Sequence, residues 1–253
     1  MSYPGGKNGA GVYQTIINLM PPHRVYIEPF LGGGAILRLK KPSAVTIGID
    51  VDAGVLARFS DADRSGKNGD AAGLHRHKQR VGPAPNGRNG EASDRQFIHA
   101  DALEWLSAYS FSGDELVYCD PPYMHETRNR KDLYRYEMTD SQHKQLLKII
   151  LKLPCMVMIS GYWSKLYARD LASWNVTRYQ AVTRSGRVAT EWLWFNFPPP
   201  VALHDYRYLG KHFRERERIK RKTLRWQNRI KRMPELEKRA LLHALDLVTS
   251  PIS

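Results

Sequence analysis

Residues 116–119 read Leu-Val-Tyr-Cys, and this apolar run stops abruptly on Asp120-Pro121-Pro122-Tyr123. A short apolar run bounded by turn residues predicts a strand buried on both faces. Proline cannot donate to a sheet ladder, so the strand ends at Asp120 and the chain turns out of the sheet. Similar runs recur at residues 24–27, 44–49, 97–102 and 156–159, with helical spacing between several of them. Strands alternating with helices predict an α/β fold around a mixed, mostly parallel sheet. Ligands of such sheets sit at the carboxyl ends of the strands. Asp120, the Pro121 carbonyl and the Tyr123 ring are therefore expected in one crevice.

Those groups suit an exocyclic amine on a planar base. The N6 nitrogen of adenine is a poor nucleophile because its lone pair is delocalised into the ring. Two acceptors on its two N–H bonds, Asp120 and the Pro121 carbonyl, would draw it towards tetrahedral geometry, while Tyr123 stacks on the base. No covalent intermediate is required. The same four residues also fit a strand end closed by a Pro-Pro turn, with Asp120 satisfying local backbone groups.

The first predicted strand, residues 24–27, feeds Glu28-Pro29-Phe30-Leu31-Gly32-Gly33-Gly34 and then a helix. Strand, glycine turn and helix open a nucleotide-binding unit. The spacing is not that of a dinucleotide site, because Leu37 stands where the third glycine would be. The second strand, residues 44–49, ends on Asp50, which is placed to accept hydrogen bonds from ribose hydroxyls; Asp50 or Asp52 can equally cap the helix over residues 53–59. Asp101, at the end of the strand over residues 97–102, can bind a cofactor's adenine or cap the helix that follows. Before these elements, Tyr3-Pro4-Gly5-Gly6-Lys7 makes a tight loop ahead of a helix over residues 12–20.

Residues 61–95 carry Gly66, Gly69, Gly73, Gly82, Gly87 and Gly90 among Arg and Lys, with Leu74 and Val81 the only sizeable aliphatics. Nothing there can bury a core, which predicts a mobile basic insertion. After Tyr123, Arg128, Arg130, Lys131 and Arg135 are mixed with Tyr134 and Tyr136. Basic and aromatic residues beside the turn suit a nucleotide and its flanking phosphates. Helix signals at residues 139–142 and an aromatic strand at residues 191–197 complete a unit expected over residues 1–205. Beyond Pro198-Pro199-Pro200, residues 211–239 hold 13 Lys/Arg against 4 Glu. Residues 206–253 are therefore expected to form a basic helical tail that tracks phosphates, broken by Pro234.

The net charge of +14 points to a polyanionic partner. Two cysteines, Cys119 and Cys155, lie in apolar runs and read as core residues, too few for a disulfide framework and without a metal set around them. No run approaches a membrane span and the N-terminus lacks a signal-peptide pattern, so a cytoplasmic protein without a membrane partner is expected.

Asp120-Pro121-Pro122-Tyr123 resembles the catalytic motif of amino-methyltransferases, in the form typical of the Dam-like (D12 class) S-adenosylmethionine-dependent DNA adenine-N6 methyltransferases. The order of segments from Tyr3 to about Phe197 is similar to that family's. The resemblance implies a Rossmann-like methyltransferase fold, S-adenosylmethionine as cofactor and an adenine in double-stranded DNA as substrate, flipped out of the stack. It implies cofactor contacts from Tyr3, Lys7, Glu28, Pro29, Phe30, Gly32, Gly34, Asp50 and Asp101, and catalysis by residues 120–123 without a metal. A pattern of Thr190-Glu191 through Asn196 resembles the family's closing strand, which helps form the target-base pocket. Residues 61–95 sit where the family places its recognition domain but are short and polar for one. A restriction–modification or phage setting is compatible with such an enzyme. RNA methylation at the same position and a non-catalytic DNA-binding protein that keeps the fold are the alternatives.

Overall fold

The computed structural model describes residues 6–64, 94–127, 135–183 and 186–249. Seven strands form one sheet: β1 (Val25–Glu28), β2 (Val45–Asp50), β3 (Asp94–His99), β4 (Glu115–Cys119), β5 (Met156–Gly161), β6 (Asn175–Val182) and β7 (Val188–Phe195). Their order is β3-β2-β1-β4-β5-β7-β6. All run parallel except β7, which enters antiparallel between β5 and β6. The helix α1 (Val12–Ile17) precedes β1, and α2 (Ala35–Leu39), α3 (Ala53–Arg64), α4 (Ala102–Ala108), α5 (Asp140–Ile150) and α6 (Lys165–Asp170) lie between the strands in sequence. This is the Rossmann-like methyltransferase arrangement expected from the sequence. The sequence reading had no α6 and no β6.

Strand alternation sorts the core. Ile27, Val117, Cys119, Val157 and Ile159 join Leu103, Leu106, Leu146, Leu147 and Ile150 in one cluster. The neighbouring Tyr26, Tyr118 and Met158 are equally buried but outside that cluster, as expected for side chains on the other face. All five residues of β4 are buried, so the strand that ends at Asp120 is central. Both cysteines are free and buried. α5 begins with a capping box, in which Thr139 Oγ1 accepts from Gln142 N and Thr139 N donates to Gln142 Oε1.

The chain after β7 folds back on the loop between α2 and β2. Lys41 N donates to Asp205 Oδ2 at 2.8 Å, and Asp205 is 2 % exposed. His204 Nε2–H donates to the Lys41 carbonyl, and the His204 ring stacks on His23 at 3.9 Å. Burial and the nearby Lys40 push His23 down to about 3, so this imidazole is neutral.

The chain divides into two compact units, Met1–Tyr206 and Arg207–Ser253. The second holds α7 (Phe213–Arg232) and α8 (Glu235–Thr249), separated by Met233 and Pro234. Most of the insertion expected at residues 61–95 lies outside the described residues. Its ends differ from the expectation: residues 61–64 continue α3, and Asp94 and Arg95 already pair with Val45 and Thr46 in the sheet. No helix among the described residues is long and apolar enough to cross a membrane.

Candidate active site

A crevice of about 1070 Å³ opens at the carboxyl ends of the parallel strands. Glu28, Pro29, Phe30 and the turn of Gly32, Gly33 and Gly34 line one end, with Asp50 and Asp101. Lys7, Asp120, Pro122, Tyr123, Tyr162 and Glu191 line the other. The β6–β7 hairpin adds Val182, Thr183, Arg187 and Val188.

The glycine turn is shaped by backbone. Gly32 and Gly34 take positive φ of 47° and 57°, a region costly for a side chain. A Cβ on Gly34 would meet Phe59 Cζ at 2.4 Å, so Phe59 fills the space behind the turn. Asp50 holds the turn to the tip of β2: Gly32 N donates to its Oδ2 and Asp52 N to its Oδ1, both at 2.8 Å. Burial raises the proton affinity of Asp50 and these two donors oppose the rise. Each oxygen keeps a second acceptor site. Asp52 accepts from Gly54 N at the start of α3, so the two acids divide the work. Asp101 caps α4 through Oδ1, which accepts from Leu103 N and Glu104 N.

Glu28 is 3 % exposed and accepts from the Tyr26 hydroxyl and from Leu37 N. Burial pushes its carboxyl up to about 8, and the charge of Asp120 adds to the rise. Glu28 is thus a protonated acid at neutral pH, tied to the structure of the loop.

At the far end one ammonium serves two carboxylates. Lys7 Nζ lies 2.8 Å from Asp120 Oδ1 and 3.3 Å from Glu191 Oε2, and donates to the Tyr123 hydroxyl at 2.7 Å. Lys7 is 3 % exposed. Burial by itself would favour its neutral form, but Asp120 and Glu191 together outweigh that and hold it charged. Asp120 is raised by burial, and Glu191 adds to the rise while Lys7 opposes it. Ser160 Oγ also donates to Asp120 Oδ1, at 2.8 Å. Tyr123 OH and Tyr179 OH donate to Glu191 Oε2 at 2.8 and 3.0 Å. Every hydrogen bond and ion pair that Asp120 makes among the described residues falls on Oδ1. Oδ2 is left for a ligand.

The structure adds contacts at several of these positions. Lys7, which the resemblance places at the cofactor, pairs with Asp120. Tyr123 is 5 % exposed, with its hydroxyl held by Lys7 and Glu191 and its ring edge-on to Tyr162 at 4.7 Å. The half-buried Tyr162 also lines the crevice and has more open ring surface for a base. Arg135 reaches Asp52 Oδ1 at 3.4 Å. Tyr3, Arg128, Arg130 and Lys131 lie outside the described residues. Sequence reasoning missed Ser160 and Tyr179, and gave Glu191 only a place in the closing strand. Ser160 and Glu191 are polar residues within otherwise apolar strands, a misfit that could have marked them, whereas Tyr179 lies in the largely polar β6 and carries no such signal. Among the described residues no cluster of His, Cys, Asp and Glu has the make-up of a metal site.

A reversed strand between two parallel neighbours, a glycine turn after β1 and acids at the tips of β2 and β4 are the features expected of a Rossmann-like methyltransferase fold. Residues 90–180 match the family model for D12 class N6 adenine-specific DNA methyltransferase, which is the family the motifs resemble. The matched stretch contains Asp101 and residues 120–123; the glycine turn, Lys7 and Glu191 lie outside it. S-adenosylmethionine is the cofactor of that class. The crevice fits it in size, since small-molecule sites span roughly 300–1,000 Å³, and in its backbone-walled turn beside two acids.

Solved structures similar to the chain include a precorrin 8w decarboxylase from Methanobacterium thermoautotrophicum, 13 % identical with a TM-score of 0.44, covering 77 % of this chain and 94 % of that one. A putative methylase from Haemophilus influenzae is 10 % identical with a TM-score of 0.44, covering 74 % and 89 %. A dimethyladenosine transferase from Plasmodium falciparum is 12 % identical with a TM-score of 0.42, covering 73 % and 59 %. Values this low leave the choice of substrate to the residues of this chain. A comparison with curated proteins finds no match.

Proposed function

We propose that the protein transfers a methyl group from S-adenosylmethionine to N6 of adenine in DNA, with the base turned out of the duplex into the crevice. One observation carries this reading: Asp120 stands in the crevice with its bonds to protein confined to Oδ1, so Oδ2 can accept from an amine. The Pro121 carbonyl follows in the chain and supplies the second acceptor. The family description names adenine N6 in DNA, and a net charge of +14 suits a polyanionic substrate.

In this reading Gly32, Gly34, Phe30 and the acids Asp50 and Asp101 hold the cofactor, which supplies an electrophilic methyl group when bound. The remaining work belongs to the chain. Lys7 and Ser160 fix the Asp120 carboxylate, so its free oxygen is presented without reorganisation. Asp120 and the Pro121 carbonyl orient the amine and localise its lone pair, and Tyr162 packs on the base. The proton released by the amine passes to Asp120, whose raised proton affinity suits a base. The base leaves the stack because its amine is inaccessible within the duplex. Arg135 and its basic neighbours in sequence attend the flanking phosphates.

Incubation with radiolabelled S-adenosylmethionine and matched DNA and RNA strands tests the reading. Label recovered as N6-methyladenine in DNA is the expected result. Label in RNA alone, or in neither strand, overturns it.

A further inference from the structure

Six of the ten Lys and Arg residues of α7 gather on one face of the helix. Arg214, Arg218, Arg221, Arg225, Arg229 and Arg232 are spaced i, i+4, i+7, i+11, i+15 and i+18, which is one face at 3.6 residues per turn. Every residue of this stripe is arginine, and all six are exposed. Arg216 and the lysines Lys220, Lys222 and Lys231 fall outside it, as do Glu215 and Glu217. Only Arg218 meets an acid among the described residues, Glu215 at 3.7 Å. The stripe runs about 27 Å at 1.5 Å per residue.

We propose that this arginine face is a second nucleic-acid contact, which grips the phosphates of duplex DNA independently of sequence and apart from the crevice. The proposal rests on the reading of the substrate as DNA. Arginine presents a planar fork that pairs bidentately with phosphate, so a row of arginines rather than lysines suits a phosphate backbone. Among the described residues five of the six guanidinium groups carry no ion pair that would have to be broken, and Arg229 stands over the Trp226 ring at 5.5 Å. Lys211 N donates to Glu215 Oε2 and Glu215 N to His212 Nδ1, so the helix start is capped and the stripe is held in register. A bilayer surface fits less well. Ile219, Ile230 and Met233 are half-buried, and the exposed Leu224 and Trp226 diverge by roughly 160° around the axis, two residues apart. Ile219, Trp226, Ile230 and Met233 share one face, but of these four only Trp226 is exposed, so little apolar surface is open to a bilayer.

The test compares two full-length variants that lose equal charge: Arg221→Gln/Arg225→Gln on the stripe and Lys220→Gln/Lys231→Gln off it. Binding to a fluorescent duplex is titrated from low to moderate salt, with circular dichroism to verify helix content. Each lost phosphate contact lowers the log–log salt slope by about 0.9. The stripe variant is expected to lower it by about 2, and the off-stripe variant by less than about half as much. If the glutamine pair loses helix, Arg221→Ala/Arg225→Ala replaces it, alanine being the stronger helix former. Equal slopes for the two variants, or a wild-type chain that binds anionic phospholipid vesicles and not duplex, overturn the proposal. Methyl transfer to DNA by the wild-type chain together with an unaltered slope in the stripe variant would sink the stripe and leave the substrate reading standing. Absence of methyl transfer would sink that reading whatever the slopes show.

Discussion

The two ends of the crevice are built by different means. At the end proposed for the cofactor the wall is backbone, shaped by two positive-φ glycines and tied by Asp50 to the neighbouring strand tip. The residues involved are close in sequence. At the end proposed for catalysis the wall is a charged side-chain network, in which Lys7, Asp120, Ser160 and Glu191 come from four distant segments. The first kind of wall depends chiefly on backbone shape, with Asp50 as its one charged tie. The second depends on the balance of charge among its side chains.

The largest expected effect separates the two ends. Asp120→Ala should cut methyl transfer by about 10²–10³-fold or more, the range for removing one preorganised polar group, while leaving cofactor affinity within a few-fold. Calorimetric titration with S-adenosylmethionine checks the second half. A parallel loss of affinity would show that the ends are not independent.

Lys7→Met leaves two buried carboxylates without their shared cation. Removing one partner of a buried pair costs about 3–5 kcal/mol, read as a fall in the urea midpoint. Gly34→Ala strikes the other end. Positive φ and the overlap with Phe59 should cost about 1–3 kcal/mol and weaken cofactor binding, with turnover at saturating cofactor largely kept. If Gly34→Ala lowered turnover as Asp120→Ala does, the division would fail.

Glu28 gives the most particular effect. Its folded carboxyl, at about 8 against an ordinary 4.5, binds a proton more tightly than in the unfolded chain. The unfolded state therefore holds fewer protons between those values, and stability falls as pH rises through that window. Below pH 4.5 the contribution is fully present. Glu28→Gln, which stays neutral, should flatten that part of the stability–pH curve. Denaturation midpoints measured at pH 5 and pH 8.5 for both chains decide it.

This contrast also explains what could be read from the chain. The glycine turn and residues 120–123 are contiguous, and each breaks a strand in a way that sterics make visible. Lys7 and Tyr123 are 116 residues apart, Tyr123 and Glu191 68, and no local rule links such positions. Lys7 was legible as part of a loop but not as the counter-ion of Asp120. Asp101 offered two roles, and its cap on α4 is a local contact that needs only the next helix. β6 escaped because its burial alternates weakly, with most of its residues exposed or half-buried. Its register nevertheless places Tyr179 directly opposite Glu191.

The pairing of Asp205 with Lys41, and of His204 with His23, dictates where a shortened chain can end. A stop codon after Tyr206 would remove both carboxy-terminal helices yet keep this latch on the loop between α2 and β2. One placed after the proline run at residue 200 would strip the latch away and expose Met20, whose carbonyl accepts from His204 N. Two truncations only six residues apart should therefore differ sharply in yield and melting temperature, although neither touches a strand.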